Sequence, residues 1–535
     1  MQKILQMLKE NLSIVVLGAA IFVYVVVTLP ALFSTHHVLM NLEPYPDGLL
    51  YALSARNLVL NGGLQLFYDG SVLPLWVPPL YAAVLIPVYL VSVAPQFFYL
   101  TNVLLGLVSI FLLWQLIRKT TKSTLVIAFA LFFYLTHAYI LWLPTVPMSE
   151  NLILPLFLLA LTALTSKKLS RTELTISAVG IGGLLFTRYS IIGVVAVLGL
   201  WWLQIVFTTQ TKRVKILFVA ILALVAFAFL LYLASIRTNP VLLLSRIGTE
   251  LSKENGFYNT KYFSPNFSSY IQIIVGQQTQ LLWLHNSFTS VVVGVAGMLA
   301  LLWGTVTCKE RSRAIWLLAT FLAQFPLLLL FYTVDARYIF LSIPLFILAV
   351  IWWMDSNLEL IWKYKKVAIV IGIIIVSTHL FSQLQLFTQL ITNNLLHRST
   401  AWQFESIQHF NRFATQRNFS SESSNELLLI TALPPFLVDA YQTTPYHVLP
   451  LSQSQEFLQK GEHVWGKDVP YENLMIGYDS WLREGKKLYI SNSYITHQQT
   501  VIADFEEFKR KYNLKLVSSG CLDACNIYEI ELKEE

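Results

Sequence analysis

Charge is what this chain has least of. Only 13% of its 535 residues are Asp, Glu, Lys or Arg, against about 25% in ordinary soluble domains, so most of the chain cannot face water. Cysteine is scarce too: Cys308, Cys521 and Cys525 are all there is, too few for a disulfide scaffold or a zinc cluster. No glycine-rich phosphate loop or dinucleotide fingerprint occurs, and no internal repeat is legible. The first apolar stretch, 12–33, lacks a small-residue cleavage site, so it reads as an uncleaved anchor.

What the chain has instead is apolar surface. Hydrophobic residues make up 56% of it and the mean hydropathy is +0.60. Apolar runs recur from Ile14 to about Phe387, each near the ~20 residues that a helix needs to cross hydrocarbon. The composition predicts a mainly α, polytopic membrane helical bundle. The net charge of +7 is explained by its distribution and needs no nucleic-acid partner.

That distribution predicts topology. Six basic clusters hold 17 of the 37 Lys and Arg: Lys3/Lys9, Arg118/Lys119/Lys122, Lys167/Lys168/Arg171, Lys212/Arg213/Lys215, Lys309/Arg311/Arg313 and Lys363/Lys365/Lys366. Short basic loops belong on the cytoplasmic side, so successive clusters enclose an even number of crossings. The apolar run 78–93 is therefore expected to hug or re-enter the membrane. The 35 residues of 174–208, about 52 Å as one helix, exceed a crossing of ~30 Å and should be two helices meeting near Arg188. Eleven spans result, at 12–33, 96–117, 124–142, 151–166, 173–187, 189–208, 216–235, 288–307, 314–332, 338–354 and 367–386. The N-terminus is expected in the cytoplasm and the C-terminal region outside it.

Two domains are expected: a membrane domain at 1–394, with outer loops 34–95 and 236–287, and a small extracytoplasmic α/β domain at 395–535. In the second, strand-like runs such as "LLLITAL", "KLYISNS", "KLVSSG" and "NIYEIEL" alternate with amphipathic helices. Cys521 and Cys525 flank a turn there, and a disulfide and two free thiols both stay open.

With that topology the rare acids and arginines gather on the outer side. Asp47, Tyr51 and Ala55 in "NLEPYPDGLLYALSA" fall at i, i+4 and i+8, one face of a helix starting after Pro46. A carboxylate at such a start accepts exposed amides and keeps its charge. Helix-start acids are common, so Asp47, and Glu150 in "LPTVPMSENLILP", could be capping residues only. Arg188 in "LLFTRYSII" and Arg337 in "TVDARYIFLSIP" are harder to dismiss, because a cation in an apolar stretch costs ~2.5–3.5 kcal/mol on insertion scales. Asp335 is a candidate partner for Arg337. Arginine otherwise suits phosphate, whose oxygens its planar donors grip in pairs. His36 and His37 are too few for a metal site by themselves.

At these residues the chain resembles a known family. "PYPDGLLYALSARNLVLNGG", then "PLWVPPLYAAVLIPVYLV", "MSENL", "FTRYS" and "DARYIFLSIPLFIL" occur in order. Together with the tail "ITALPPFLVDAYQTTPYHVLPLS" they resemble the polytopic GT-C glycosyltransferases, of the branch holding protein O-mannosyltransferases and aminoarabinose transferases. The resemblance implies transfer of a sugar from a polyprenyl-phosphate donor to a lipid, glycan or protein acceptor outside the cytoplasm, at the cell membrane. It implies Asp47 as catalytic base and Glu150 as a second acid near the acceptor or, in some relatives, a divalent metal; no other cofactor follows. Arg337, Arg188, Tyr338, Glu43 and Tyr51 would bind substrate. One departure stands out: the mannosyltransferases carry adjacent Asp-Glu in the first loop, whereas Gly48 follows Asp47 here. An oligosaccharide ligase or polymerase and a secondary transporter are the alternatives. A transporter would hold its charges at the membrane midplane in repeated halves, which this sequence does not show.

Overall fold

The structure is a computed structural model that describes residues 12–33, 47–61, 65–68, 71–74, 78–91, 95–145, 148–165, 170–235, 258–275, 279–281, 284–286, 289–308, 311–331, 334–357, 361, 363–391, 401–417, 427–433, 438, 446–451, 471–493, 495 and 499–533. Contacts divide the chain into two compact units, Met1–Ser34 with Trp76–Leu396 and Thr35–Leu75 with His397–Glu535. The segment 35–75, expected as part of the membrane domain, groups with the C-terminal residues.

The first unit is helical. Numbered along the whole chain, its helices are α1 (Leu12–Phe33), α3 (Leu80–Val91), α4 (Pro95–Thr120), α5 (Thr124–Leu135), α6 (Ala138–Trp142), α7 (Glu150–Leu164), α8 (Arg171–Leu185), α9 (Ile192–Thr209), α10 (Lys212–Ser235), α11 (Phe263–Ile274), α12 (Val291–Thr307), α13 (Arg311–Leu322), α14 (Phe325–Leu328), α15 (Ser342–Ser356) and α16 (Lys365–Ile391), while α2 (Asp47–Asn61) belongs to the second unit. A helix overlies every expected span. Among the described residues three stretches, Tyr99–Thr120, Tyr189–Thr209 and Ala336–Ser356, are long and apolar enough to cross a membrane, and six shorter apolar helices accompany them. Phe22, Leu224, Phe227, Ile369, Ile373 and Phe381 point outward, as lipid-facing residues do. Run 78–93 forms α3, a short helix with Pro87 inside it.

Two expected spans are each broken in two. Between α5 and α6 the helix ladder stops at Thr136 and His137, and the His137 ring takes over by accepting the Tyr139 amide at 3.3 Å. The last membrane helix supplies other partners: Gln383 Oε1 accepts the Ala138 amide at 2.9 Å, and His379 Nε2 lies 3.1 Å from Thr136 Oγ1. A buried backbone donor must find such a partner in an apolar bundle. The second break separates α13 from α14, whose first turn holds Pro326, a residue that a continuous helix disfavours.

Small residues let the helices close on one another, as membrane helices require. Ser177 Oγ donates to Ala160 O at 2.9 Å. One turn along α8, a Cβ on Gly180 would meet Ala160 N and Leu156 O at 2.8 Å. At the far end of the same pair, Ser170 and Glu173 form a capping box, and Lys119 Nζ donates to Glu173 Oε1 at 2.7 Å. Basic clusters expected on one side of the membrane are thus tied together.

The second unit is α/β. A five-stranded sheet has the order β6-β5-β7-β9-β8, built from β5 (Leu428–Thr431), β6 (His447–Pro450), β7 (Leu488–Ser491), β8 (Tyr512–Ser518) and β9 (Ile527–Leu532). The first three pair in parallel and the last two join antiparallel. Helices α17 (Ala401–Gln416), α18 (Tyr471–Arg483) and α19 (Gln499–Lys511) complete it, with the hairpin β1 (Gln65–Tyr68) and β2 (Ser71–Pro74); a second hairpin, β3 (Thr279–Leu281) and β4 (Leu284–Asn286), belongs to the first unit. Ile430, Leu488, Ile490, Phe508 and Tyr512 form its core. Cys521 and Cys525 are bonded, with Cα atoms 5.4 Å apart, across a turn whose residues Cys521, Leu522 and Asp523 have φ of 52, 51 and 69°.

Gly180→Leu should force α7 from α8 and lower stability by about 1–3 kcal/mol, as overpacking does. Gly372→Ala, at a glycine with nothing within 4 Å of the added carbon, should not lower the thermal midpoint. Thermal unfolding in detergent followed by intrinsic fluorescence checks both.

Candidate functional site

Three turns of the first unit meet through two arginines. The first precedes α7: Leu143–Thr145 forms a short 3-10 turn and Glu150 opens the helix, where unpaired amides favour a negative group. In the second, between α8 and α9, Arg188 has extended backbone, φ −160° and ψ 135°, and starts the 3-10 turn Tyr189–Ile191. That break answers the excess length of 174–208 and throws Arg188 out of helical register. The third is the 3-10 turn Ala336–Ile339, capped by Asp335.

The charged groups are paired. Glu150 Oε1 accepts from Arg188 Nη1 across the two turns, and Ser149 Oγ donates to Glu150 Oε2 at 3.3 Å. Asp335 Oδ1 accepts the Arg337 amide at 2.9 Å while Asp335 Oδ2 lies 2.9 Å from Arg337 Nε. Arg337 Nη1 also donates to Met148 Sδ at 3.7 Å and Nη2 to Tyr338 Oη at 3.3 Å. Both guanidiniums face the Tyr338 ring, Arg188 at 5.3 Å and Arg337 at 5.1 Å from its centroid, inside the ~6 Å range of a cation–π contact. The side chains of Glu150, Asp335 and Arg337 are 1%, 3% and 6% exposed, that of Arg188 17%. The site is therefore nearly neutral in sum, with one cation more open than the rest.

Polar struts hold these turns from behind. Tyr81 Oη on α3 donates to Asn102 Oδ1 on α4 at 2.7 Å, and Asn102 Nδ2 donates to Pro144 O at 3.2 Å. The Leu80 amide donates to Phe186 O at 3.0 Å, two residues before Arg188. The α3 segment, expected only as a membrane-hugging stretch, thus fastens two of the three turns.

Of the sequence-predicted residues, Glu150, Arg188, Arg337 and Tyr338 come together. Asp47 is the first residue of α2, and Tyr51 and Ala55 on that helix are buried; this helix is in the second unit. Glu43, His36, His37 and residues 236–257 of the outer loop lie outside the described residues. Tyr139 was missed: it is buried on α6, and its ring lies 6.2 Å from that of Phe340, at the end of the third turn. A polar residue inside an apolar span was its one signal. Met148 and Ser149 were missed too: Ser149 donates to the acid beside it, and the Met148 sulfur accepts from Arg337. Among the described residues no group of three or more His, Cys, Asp or Glu could hold a metal, and both carboxylates here are paired with guanidiniums.

No family model matches the sequence, and no curated protein does. Solved structures match over nearly the full length, and they show that the chain shares the fold of ArnT. The crystal structure of ArnT from Cupriavidus metallidurans in the apo state superposes with a TM-score of 0.60 at 13% identity, covering 97% of this chain and 98% of that one. The crystal structure of the same ArnT bound to undecaprenyl phosphate gives 0.60 at 12% identity, covering 96% and 97%.

Removing one partner of a buried pair leaves the other charge stranded, a loss of about 3–5 kcal/mol, whereas neutralising both is often nearly neutral. Arg188→Met should therefore lower the thermal midpoint markedly, and adding Glu150→Gln should restore most of it. A double-mutant cycle by thermal unfolding measures this; additive effects would show that the pair does not form.

Proposed function

We propose that the chain is a membrane glycosyltransferase that moves a sugar from a polyprenyl-phosphate donor to an acceptor hydroxyl on the extracytoplasmic side, with inversion. The observation that carries the reading is the meeting of two arginines on the Tyr338 ring, each paired with a carboxylate, in a fold shared with a protein solved with undecaprenyl phosphate. Planar guanidiniums on a tyrosine form a phosphate clamp, and an apolar bundle around them suits a phosphate carried on an isoprenoid chain.

In this reading Arg337 and Arg188 grip the donor phosphate beside Tyr338. Asp47 takes the proton from the acceptor hydroxyl, and the acceptor oxygen bonds to the anomeric carbon as the carbon–oxygen bond to phosphate breaks. The electron pair leaves with polyprenyl phosphate, whose growing charge the arginines stabilise. A phosphate leaves readily, so one base suffices, unlike the two carboxylates of glycosidases. Glu150 is the second acid, near the acceptor, with Glu43 and Tyr51 as further binding residues. The acceptor is a lipid, a glycan or a protein. The N-terminus is cytoplasmic and the α/β unit extracytoplasmic.

With labelled polyprenyl-phosphate sugar in membranes, Asp47→Asn should lose transfer by about 10²–10⁴-fold, the usual contribution of a general base, at normal expression. Arg337→Ala should raise the donor KM by roughly tenfold or more, from the loss of charge-assisted hydrogen bonds. Unchanged donor dependence would take Arg337 out of the site. For topology, a membrane-impermeant thiol reagent should label a cysteine placed at Lys515 in intact cells and spare one placed at Lys363, both in a Cys308→Ala background. The reverse pattern would invert the assignment.

A further inference from the structure

The two ion pairs are not equivalent. Asp335 and Arg337 are two residues apart, and the carboxylate accepts the Arg337 amide at 2.9 Å and forms an ion pair with Nε at 2.9 Å, so that one residue supplies both contacts. Arg337 is further held by Met148 and Tyr338. Glu150 and Arg188 instead join two turns 38 positions apart, and the other groups on the Glu150 carboxylate, its own amide and Ser149 Oγ at 3.3 Å, belong to its own turn and stay with it when Arg188 leaves. Arg188 is also the more open cation, 17% exposed against 6% for Arg337, and it lies on a ring face that can keep hold of a guanidinium as its anion changes.

We propose that the Glu150–Arg188 pair is an exchangeable latch: the donor phosphate takes Arg188 from Glu150, and Glu150, released, turns to the acceptor. The inference rests on the glycosyltransferase reading and adds an order of events to it. Before the donor arrives, Glu150 is neutralised by its partner and shielded from an acceptor. The donor phosphate, a diester, brings one negative charge to a site that is already balanced, so it must displace a carboxylate to be paired. The displaced carboxylate is the one held across the turns, because the other is anchored by its neighbour's backbone. The latch makes donor binding a condition for exposing the second acid, which keeps acceptor and water from engaging it first.

The test is binding of undecaprenyl phosphate to the full chain in phosphatidylcholine nanodiscs, with undecaprenol as the uncharged control. Glu150→Gln removes the competing charge and should tighten undecaprenyl phosphate binding by roughly tenfold, the low end of what a charge-assisted hydrogen bond contributes, while transfer falls. Glu150→Asp keeps the charge but draws it back by one methylene, so it should tighten binding by a smaller factor and serves if the Gln variant does not fold. Asp335→Asn should not tighten binding. Binding unchanged or weakened in the Glu150 variants, with the wild type still preferring the phosphate over the alcohol, overturns the latch alone. No preference for the phosphate in any variant overturns the donor reading and the latch with it.

Discussion

Charge inside an apolar bundle must be paired, and much of this molecule's architecture follows from that requirement. Two guanidiniums and two carboxylates sit among helices whose outward faces are Phe, Leu, Ile and Val. An isolated ion there would shift its protonation or unfold its surroundings. The pairs can form only if the ends of α7, α8 and α15 arrive at the same point with their side chains turned inward. Ion pairing therefore constrains where helices stop, as packing constrains where they run.

The backbone meets that constraint by being irregular where the charges are. Arg188 is extended between two helices, Asp335 caps a 3-10 turn, and a short 3-10 turn lies just ahead of Glu150. Irregular backbone exposes amides and carbonyls that lipid cannot satisfy, so each break comes with a polar partner. Asn102 reaches the Pro144 carbonyl, and Gln383 reaches the Ala138 amide. These struts lie on other helices, which makes the geometry of the charged turns a property of the whole bundle.

Much of the fold was legible because lipid enforces a simple pattern. Apolar run length marked the helices, and the basic clusters suggested that 174–208 had to break. The break at Thr136–His137 was not legible, because the partners that permit it lie hundreds of residues away; the one at Ala323–Gln324 had its signal in Pro326, which the apolar run around it outweighed. In the α/β unit the strand His447–Pro450 escaped notice because it is short and ends in proline. At the site, Arg188 and Arg337 announced themselves as cations in the wrong solvent. Asp335 could be matched to Arg337 by adjacency. The match of Glu150 with Arg188 could not, because nothing in sequence spacing relates positions on different turns. Tyr139 lies in an apolar run with no charge beside it in sequence to mark it.

The account's central claim is that the turns carrying Glu150, Arg188 and Arg337 form the seat of a lipid phosphate. The most direct measurement is photo-crosslinking with a polyprenyl phosphate bearing a diazirine on the carbon next to the phosphate, followed by peptide mapping. The account predicts label concentrated on the segments around Tyr139–Glu150, Phe186–Ile191 and Asp335–Phe340. Label spread over the outward apolar faces, with those three segments untouched, would contradict it.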